Sequence, residues 1–348
     1  MKIFTRVLFF LSYLLLLTTC DKFDIQVNEA IAITDYDPVH ETKKKNILHL
    51  LDTVAHSDQL LIGQNIGHAD GSLTYEFYSD LPQQPSVLAL DLGYNELIVD
   101  NQQLIETIIQ HSDKGGLVTI STHMPNPFNQ KNVHNKAAFD LNELLNTETA
   151  AHQNFQQLLL NIGNFFQLLK NQEVIVLFRP FHEMNGGWFW WGNDKNWASK
   201  EAFVAMWKYT HDYLQNQRQL DNLLWVYAPN FQEKRTQKSV LHYYPGEDYV
   251  DIVALDYYAD DLTQIDTNNS LSDLQKLGKP IGIAEIGNKT LRNGQFDNLT
   301  YLGLNEWVGV SYFVAWHSYP NNKIAIRDCQ NAAELMNHRW IIDLSELE

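Results

Sequence analysis

Cysteine is nearly absent: Cys20 and Cys329 are the two in 348 residues, so a disulfide framework cannot be what holds this chain together. Zinc spacing is missing as well, because His123, His182 and His317 stand alone rather than in the short pairs that a zinc site uses. No metal and no cofactor are therefore expected. Basic residues are scarce, 25 against 42 acidic ones, and the formal net charge of -17 disfavours nucleic acid or an anionic lipid surface as partner. A neutral polysaccharide meets no such repulsion. Internal repeats and low-complexity tracts are lacking too, which removes solenoids and arrays from consideration.

What is present begins with Lys2 and Arg6 ahead of an apolar run at 7–17, too short to span a bilayer comfortably, followed by Leu17-Thr18-Thr19-Cys20. This order reads as a secretory signal over residues 1–20. Cys20 occupies the place of a lipoprotein's modified cysteine, with Thr19 where a smaller residue is usual. Lipidation at Cys20 is the expectation, against plain cleavage or retention as an anchor. It would put a mature protein at the bacterial outer membrane, held by lipid alone. Residues 21–43 are polar and read as a tether, leaving 44–348 as the folded domain. Cys329 reads as a small buried apolar residue.

Short apolar runs at 60–64, 86–92, 117–122, 174–178, 223–228, 250–257, 281–285 and 310–315 read as eight strands. Helical spacing falls between them, as in Phe155-Leu158-Leu159-Ile162-Phe165-Phe166-Leu169. That alternation predicts an α/β fold, a (β/α)8 TIM barrel, with a doubly wound open sheet as the alternative. In a barrel, reacting groups sit at the C-terminal ends of strands, and polar residues stand there: Gln64-Asn65, His123, His182-Glu183, Asn230, Asp256-Tyr257-Tyr258, Glu285 and Trp316-His317. The long stretch 124–149, with Pro125, Pro127 and several Asn, is expected to overhang the mouth.

The densest chemistry is at 174–192, VIVLFRPFHEMNGGWFWWG. A buried strand ends at Arg179-Pro180, and His182, Glu183 and Asn185 follow at once, with Gly186-Gly187 freeing the turn. Trp188, Trp190 and Trp191 supply flat apolar surface. An acid beside a histidine, rimmed by indoles, suits protonation of a glycosidic oxygen under a stacked sugar. The bland reading, Glu183 paired to Arg179 with the tryptophans in the core, explains three indoles beside Gly-Gly poorly. A second carboxylate, Glu285, arrives on the strand Ile281-Gly282-Ile283-Ala284-Glu285. Strands four and seven oppose each other across an eight-stranded ring, so the two acids can converge. A separation of about 5 to 5.5 Å would mean retention through a covalent intermediate. Tyr258, from the neighbouring strand, is the candidate donor to Glu285, with Tyr257 one register away.

RPFHEMNGGWFWWG at 179–192 and IAEIG at 283–287 resemble the β-mannanases of glycoside hydrolase family 26, supported by GQN at 63–65, STHMPNP at 121–127 and YVDIVALDYY at 249–258. The resemblance implies a retaining enzyme with Glu183 as acid/base and Glu285 as nucleophile. It further implies that His123 and His182 line the subsite next to the scissile bond, that Trp188 packs against the sugar there, and that Trp316 forms a stacking floor. Tyr258 would hold Glu285, and Arg179 would orient one of the glutamates. The expected partner is β-mannan or its oligosaccharides, acted on by a monomer. Two competitors remain at this stage: the same chemistry on mixed-linkage β-glucan or xylan, and a non-catalytic glycan-binding lipoprotein.

Overall fold

The computed structural model describes residues 37–68, 83–93, 102–130, 133–134, 139–192, 199–233, 238–291, 293–307 and 309–347. The signal segment, Cys20 and most of the tether lie outside the described residues. None of the described helices is long and apolar enough to cross a membrane.

Eight strands run in parallel: β1 Leu60–His68, β2 Val87–Asp91, β3 Leu117–Ser121, β4 Val176–Arg179, β5 Leu223–Tyr227, β6 Ile252–Tyr258, β7 Ile281–Gly287 and β8 Val310–Ala315. Each pairs with its sequence neighbour, and β1 pairs with both β2 and β8, so the sheet closes on itself. Closure makes this a (β/α)8 barrel and excludes the open doubly wound sheet. The eight expected strands are these eight, with ends shifted by a few residues. A two-residue ninth strand, β9 Ile341–Ile342, adds to the start of β1 and was not anticipated. The alternation is also looser than expected: only a 3-10 turn, Glu247–Tyr249, is regular between β5 and β6 among the described residues.

The strands read as unbroken apolar runs because both faces are covered. One set of side chains, among them Leu61, Val87, Ala89, Leu117, Leu177, Leu224, Val226, Ala254 and Val314, packs as a cluster inside the barrel. The alternate set, including Ile62, Leu90, Ile120, Val176 and Phe178, packs outward against helices such as Ala150–Lys170. There Phe166 meets Phe178 edge-on at 4.8 Å between ring centroids.

The folded part starts earlier than the expected boundary at 44. Helix α1, Pro38–Ala55, takes in the end of the supposed tether, because Asp37 caps it by accepting from Val39 N and Pro38 fits the first turn. Its polar surface face hid it in the sequence, while Leu51 and Val54 join the inner cluster and close the barrel floor. Asp221, just ahead of β5, fastens this helix by accepting from Asp37 N at 2.8 Å and meeting His40 Nδ1 at 2.9 Å.

Buried His111 bonds the carbonyl of Leu117 through Nε2 at 3.0 Å, and burial lowers its pKa to about 4. The unfolded chain holds a proton on this ring up to the ordinary value near 6.5. Its stabilising share is therefore complete above that pH and drains away as pH falls toward 4. His111→Asn should flatten thermal stability between about pH 6.5 and 4; melting curves across that window check it.

Candidate active site

β4 delivers Arg179 into the barrel, and the chain then turns through two non-glycine residues with positive φ, Phe181 at 50° and Glu183 at 53°. Such conformations cost roughly 1–3 kcal/mol each and persist where surroundings over-determine them. Here Glu183 N donates to the carbonyl of Ala228 at 2.8 Å, and Asn185 exchanges two bonds with the backbone of Asn230 at 2.7 and 2.9 Å. Gly186 is needed for space: a Cβ there would lie 2.2 Å from the ring of Trp188. The Trp188 indole N–H then donates to Glu183 Oε2. Of the three tryptophans, Trp188 alone stands at the site. Trp190 and Trp191 are fully buried, donating to the carbonyls of Met124 and His182 at 2.9 and 2.8 Å, so the expectation that they rim a sugar site is corrected. An indole that finds a backbone acceptor packs as well in a core as at a rim, which spacing cannot distinguish.

Glu285 reaches the same place through an irregularity. Ile281 and Ile283 belong to the outer layer, so plain alternation would send Glu285 outward too. The pairing of β6 with β7 slips, Leu255 facing Ile283 and Asp256 facing Glu285, so that Ala284 is the extra residue of a bulge. Glu285 thereby turns inward. Its Oε1 accepts from Arg179 at 2.5 Å and its Oε2 from the Tyr258 hydroxyl at 2.6 Å. The register of the tyrosine is thus resolved: the Tyr257 hydroxyl donates instead to the carbonyl of Asp261.

Carboxylate oxygens of Glu183, Asp256 and Glu285 all lie within 4.8 Å of one another. Such a set could ligate a cation, but Arg179 already donates to two of the three, at 2.8 Å to Asp256 and 2.5 Å to Glu285. Burial would strip the Arg179 proton, yet the charges of Asp256 and Glu285 hold its affinity above the ordinary arginine range. Asp256 is pulled both ways. Full burial pushes it well above the ordinary carboxylate range, Arg179 pulls it back, and Glu285 and Glu183 add to the rise. The rise prevails, because one guanidinium faces three carboxylates and Asp256 Oδ1 has no hydrogen-bond partner among the described residues. Burial and the Glu285 charge keep the Tyr258 phenol protonated, hence a donor.

His182 is fully buried, its Nε2 3.6 Å from Glu285 Oε1, and neither ring nitrogen has a hydrogen-bond partner among the described residues. Burial, then Arg179 and His123, keep it neutral. His123 lies edge-on to it at 4.6 Å and to Trp316 at 6.2 Å, so the expected lining residues are neighbours. Trp316 is largely covered, 4% exposed, and its indole N–H donates to Tyr319. Sequence reasoning overlooked Asp91, which binds His123 Nδ1 at 2.8 Å and Ser121 Oγ at 2.6 Å, and gave Asp256 no role. A signal existed: LALD at 88–91 and VALD at 253–256 are apolar strands ending in a buried acid.

A closed (β/α)8 barrel whose fourth and seventh strands bring two carboxyl groups together beside aromatic rings is the arrangement of a glycoside hydrolase. The family model for glycosyl hydrolase family 26 matches residues 37–346, and the chain belongs to that family. Among similar proteins is the mannan endo-1,4-beta-mannosidase A and B of Caldalkalibacillus mannanilyticus, 29% identical over 100% of this chain and 69% of its own length. A mannan endo-1,4-beta-mannosidase from Bacillus subtilis is 28% identical over 89% of each chain. A solved Bacillus subtilis mannanase superposes with a TM-score of 0.76 at 27% identity, covering 89% of this chain and 94% of that one.

Tyr258→Phe removes a bond to a charged group worth about 1.5–3 kcal/mol, and should lower kcat on the order of ten- to a hundredfold. Tyr257→Phe should leave kcat within a few-fold; steady-state kinetics of the two variants side by side decides the assignment.

Proposed function

We propose that this hydrolase cleaves β-1,4-mannosidic linkages in mannan, galactomannan or glucomannan with retention of configuration. The observation that carries the mechanism is the approach of Glu183 and Glu285 oxygens to within 4.8 Å. Inverting enzymes keep their carboxyl groups about 6.5–9.5 Å apart to seat a water between acid and base, and the present pair leaves no such room. Glu285 is the nucleophile: Arg179 and Tyr258 both donate to its oxygens, which favours the charged form. Its oxygen bonds the anomeric carbon while Glu183 gives its proton to the departing glycosidic oxygen. Glu183, now charged, takes a proton from water, and the hydroxide so formed displaces Glu285 and releases the sugar. His123, His182, Trp188 and Trp316 line the sugar site in this scheme, and the Asp91 carboxylate orients His123. Mannan as substrate is supported by the names of the relatives covered over most of this chain.

The N-terminal segment completes the proposal. Residues 1–20 direct export, Cys20 carries lipid, and a monomeric enzyme is tethered at the outer membrane facing its polysaccharide. Cys20→Ser should release the protein from the membrane fraction; radiolabelled palmitate failing to enter the wild-type chain would remove the lipid from the account.

Glu285→Ala should abolish turnover, and azide should restore it with a glycosyl azide of inverted anomeric configuration. Glu183→Gln should lose turnover on polysaccharide by a factor of at least about a thousand while still binding oligosaccharide. Initial rates on galactomannan, glucomannan, lichenan and xylan test the substrate; a preference for lichenan or xylan would reject mannan.

A further inference from the structure

We infer that Tyr312 is a positioning residue for the reacting carboxylates: inside the barrel its hydroxyl shares one buried water with Asp256 Oδ1 and so steadies the Asp256–Arg179 pair that holds Glu285. This rests on the proposed hydrolysis, in which Glu285 is the nucleophile.

Tyr312 stands where a hydroxyl has no packing use. It lies on β8, fully buried, in the inner cluster, whose other buried members are all aliphatic. A phenylalanine would fill the same volume with no polar atom to satisfy, and a hydroxyl buried without a partner destabilises the fold. The neighbouring strands make room for this ring. Tyr312 pairs with Gly282 on β7, and Gly282 pairs with Ala254 on β6. A Cβ at Gly282 would lie 2.2 Å from Cε1 of the tyrosine and 2.3 Å from Cζ, so the ring lies across the inner face of β7. Glycine weakens a strand interior, and a close approach of this kind is what calls for one.

The direction of the ring sets what the hydroxyl meets. Strands stand about 4.8 Å apart, and the Cζ that carries the hydroxyl is already over the strand next to β8. Beyond it on β6 is Ala254, too small to close the space, and the next residue along the same inner face is Asp256. The charges agree with that placement. Burial raises the pKa of the Tyr312 phenol, while Arg179 lowers it and Asp256 adds to the rise, so both members of the pair act on this ring, which stays a neutral donor.

Tyr312 Oη and Asp256 Oδ1 are both buried, and neither has a hydrogen-bond partner among the described residues. They are not bonded to each other directly, yet one can donate and the other accepts. A water between them satisfies both, as buried waters do where polar groups stop short of contact. Asp256 in turn accepts from Arg179 at 2.8 Å, and Arg179 donates to Glu285 at 2.5 Å. The Tyr312 hydroxyl thus acts on Glu285 through Asp256 and Arg179 and touches no sugar.

Two measurements test this. A high-resolution crystal structure of the wild-type enzyme should show one ordered water within hydrogen-bond distance of both Tyr312 Oη and Asp256 Oδ1; no water there, or a water on only one of them, overturns the bridge. Tyr312→Phe keeps the ring and should lower kcat on manno-oligosaccharides on the order of tenfold, with KM within about twofold, because a reacting group is misplaced while the sugar contacts stay. A loss carried by KM alone overturns the role, and so does a lowered melting temperature with kcat intact, which would mean that the hydroxyl only supports the fold. Wild-type enzyme inactive on every β-linked polysaccharide would overturn the proposed reaction and this role together; active wild type with kcat unmoved in Tyr312→Phe overturns the role alone.

Discussion

One guanidinium organises the mouth of this barrel. Arg179 extends from β4 and bridges Asp256 on β6 and Glu285 on β7, so three strands are tied by two short charged bonds in a place without bulk water. Left to itself, the acid cluster would repel its own members, since Glu183, Asp256 and Glu285 crowd within 4.8 Å. Arg179 offsets that repulsion. Breaking either contact would leave a buried charge uncompensated, which is far more costly than the pair is stabilising.

The consequences spread outward in layers. Tyr258 donates to the Glu285 oxygen that Arg179 does not reach, so each oxygen of that carboxylate is held by a strand residue. His182 sits against the same group, kept neutral by burial and by the very arginine that orders it. Asp91 and Ser121 do for His123 what Arg179 does for Glu285, fixing a ring from the strand ends of β2 and β3. Asp91, Arg179, Asp256, Tyr258 and Glu285 all stand on strands, and side chains on such rigid elements are held more closely than those on loops.

Glu183, like His182 and Trp188, stands on a turn rather than a strand. Its left-handed backbone, and that of Phe181 two residues earlier, are forced by the Ala228 carbonyl, by the Asn185 and Asn230 pair, and by indoles locked behind the turn. Trp190 and Trp191 therefore serve the acid from behind instead of meeting a sugar. The three-tryptophan cluster is one structure with two jobs: its inner pair sets the turn, and Trp188 alone reaches the carboxylate.

Much of this was legible in the chain alone. Eight apolar runs at barrel spacing, polar residues at the ends of seven of them, and the RPFHEMNGGWFWWG segment were enough for the fold and for bringing both glutamates to the mouth, because strand burial and chain direction constrain local sequence strongly; Tyr258 and Tyr257 were separated only by the hydrogen bonds. Helix α1 escaped notice because a floor helix needs only a narrow apolar stripe, Leu51 and Val54, under a charged surface. Asp91 was read only as part of the run at 86–92, and Asp256 was put at the mouth without a role, because the part an acid plays is not visible until its partner is known. Alternation along β7 even gives the wrong side for Glu285, and only the slip against β6 at Ala284 turns it inward. Local pattern determined which residues form strands and where each one stops. The closed ring decided which side chains meet, since hydrogen-bond register and bulges depend on the neighbouring strand and not on the residue itself.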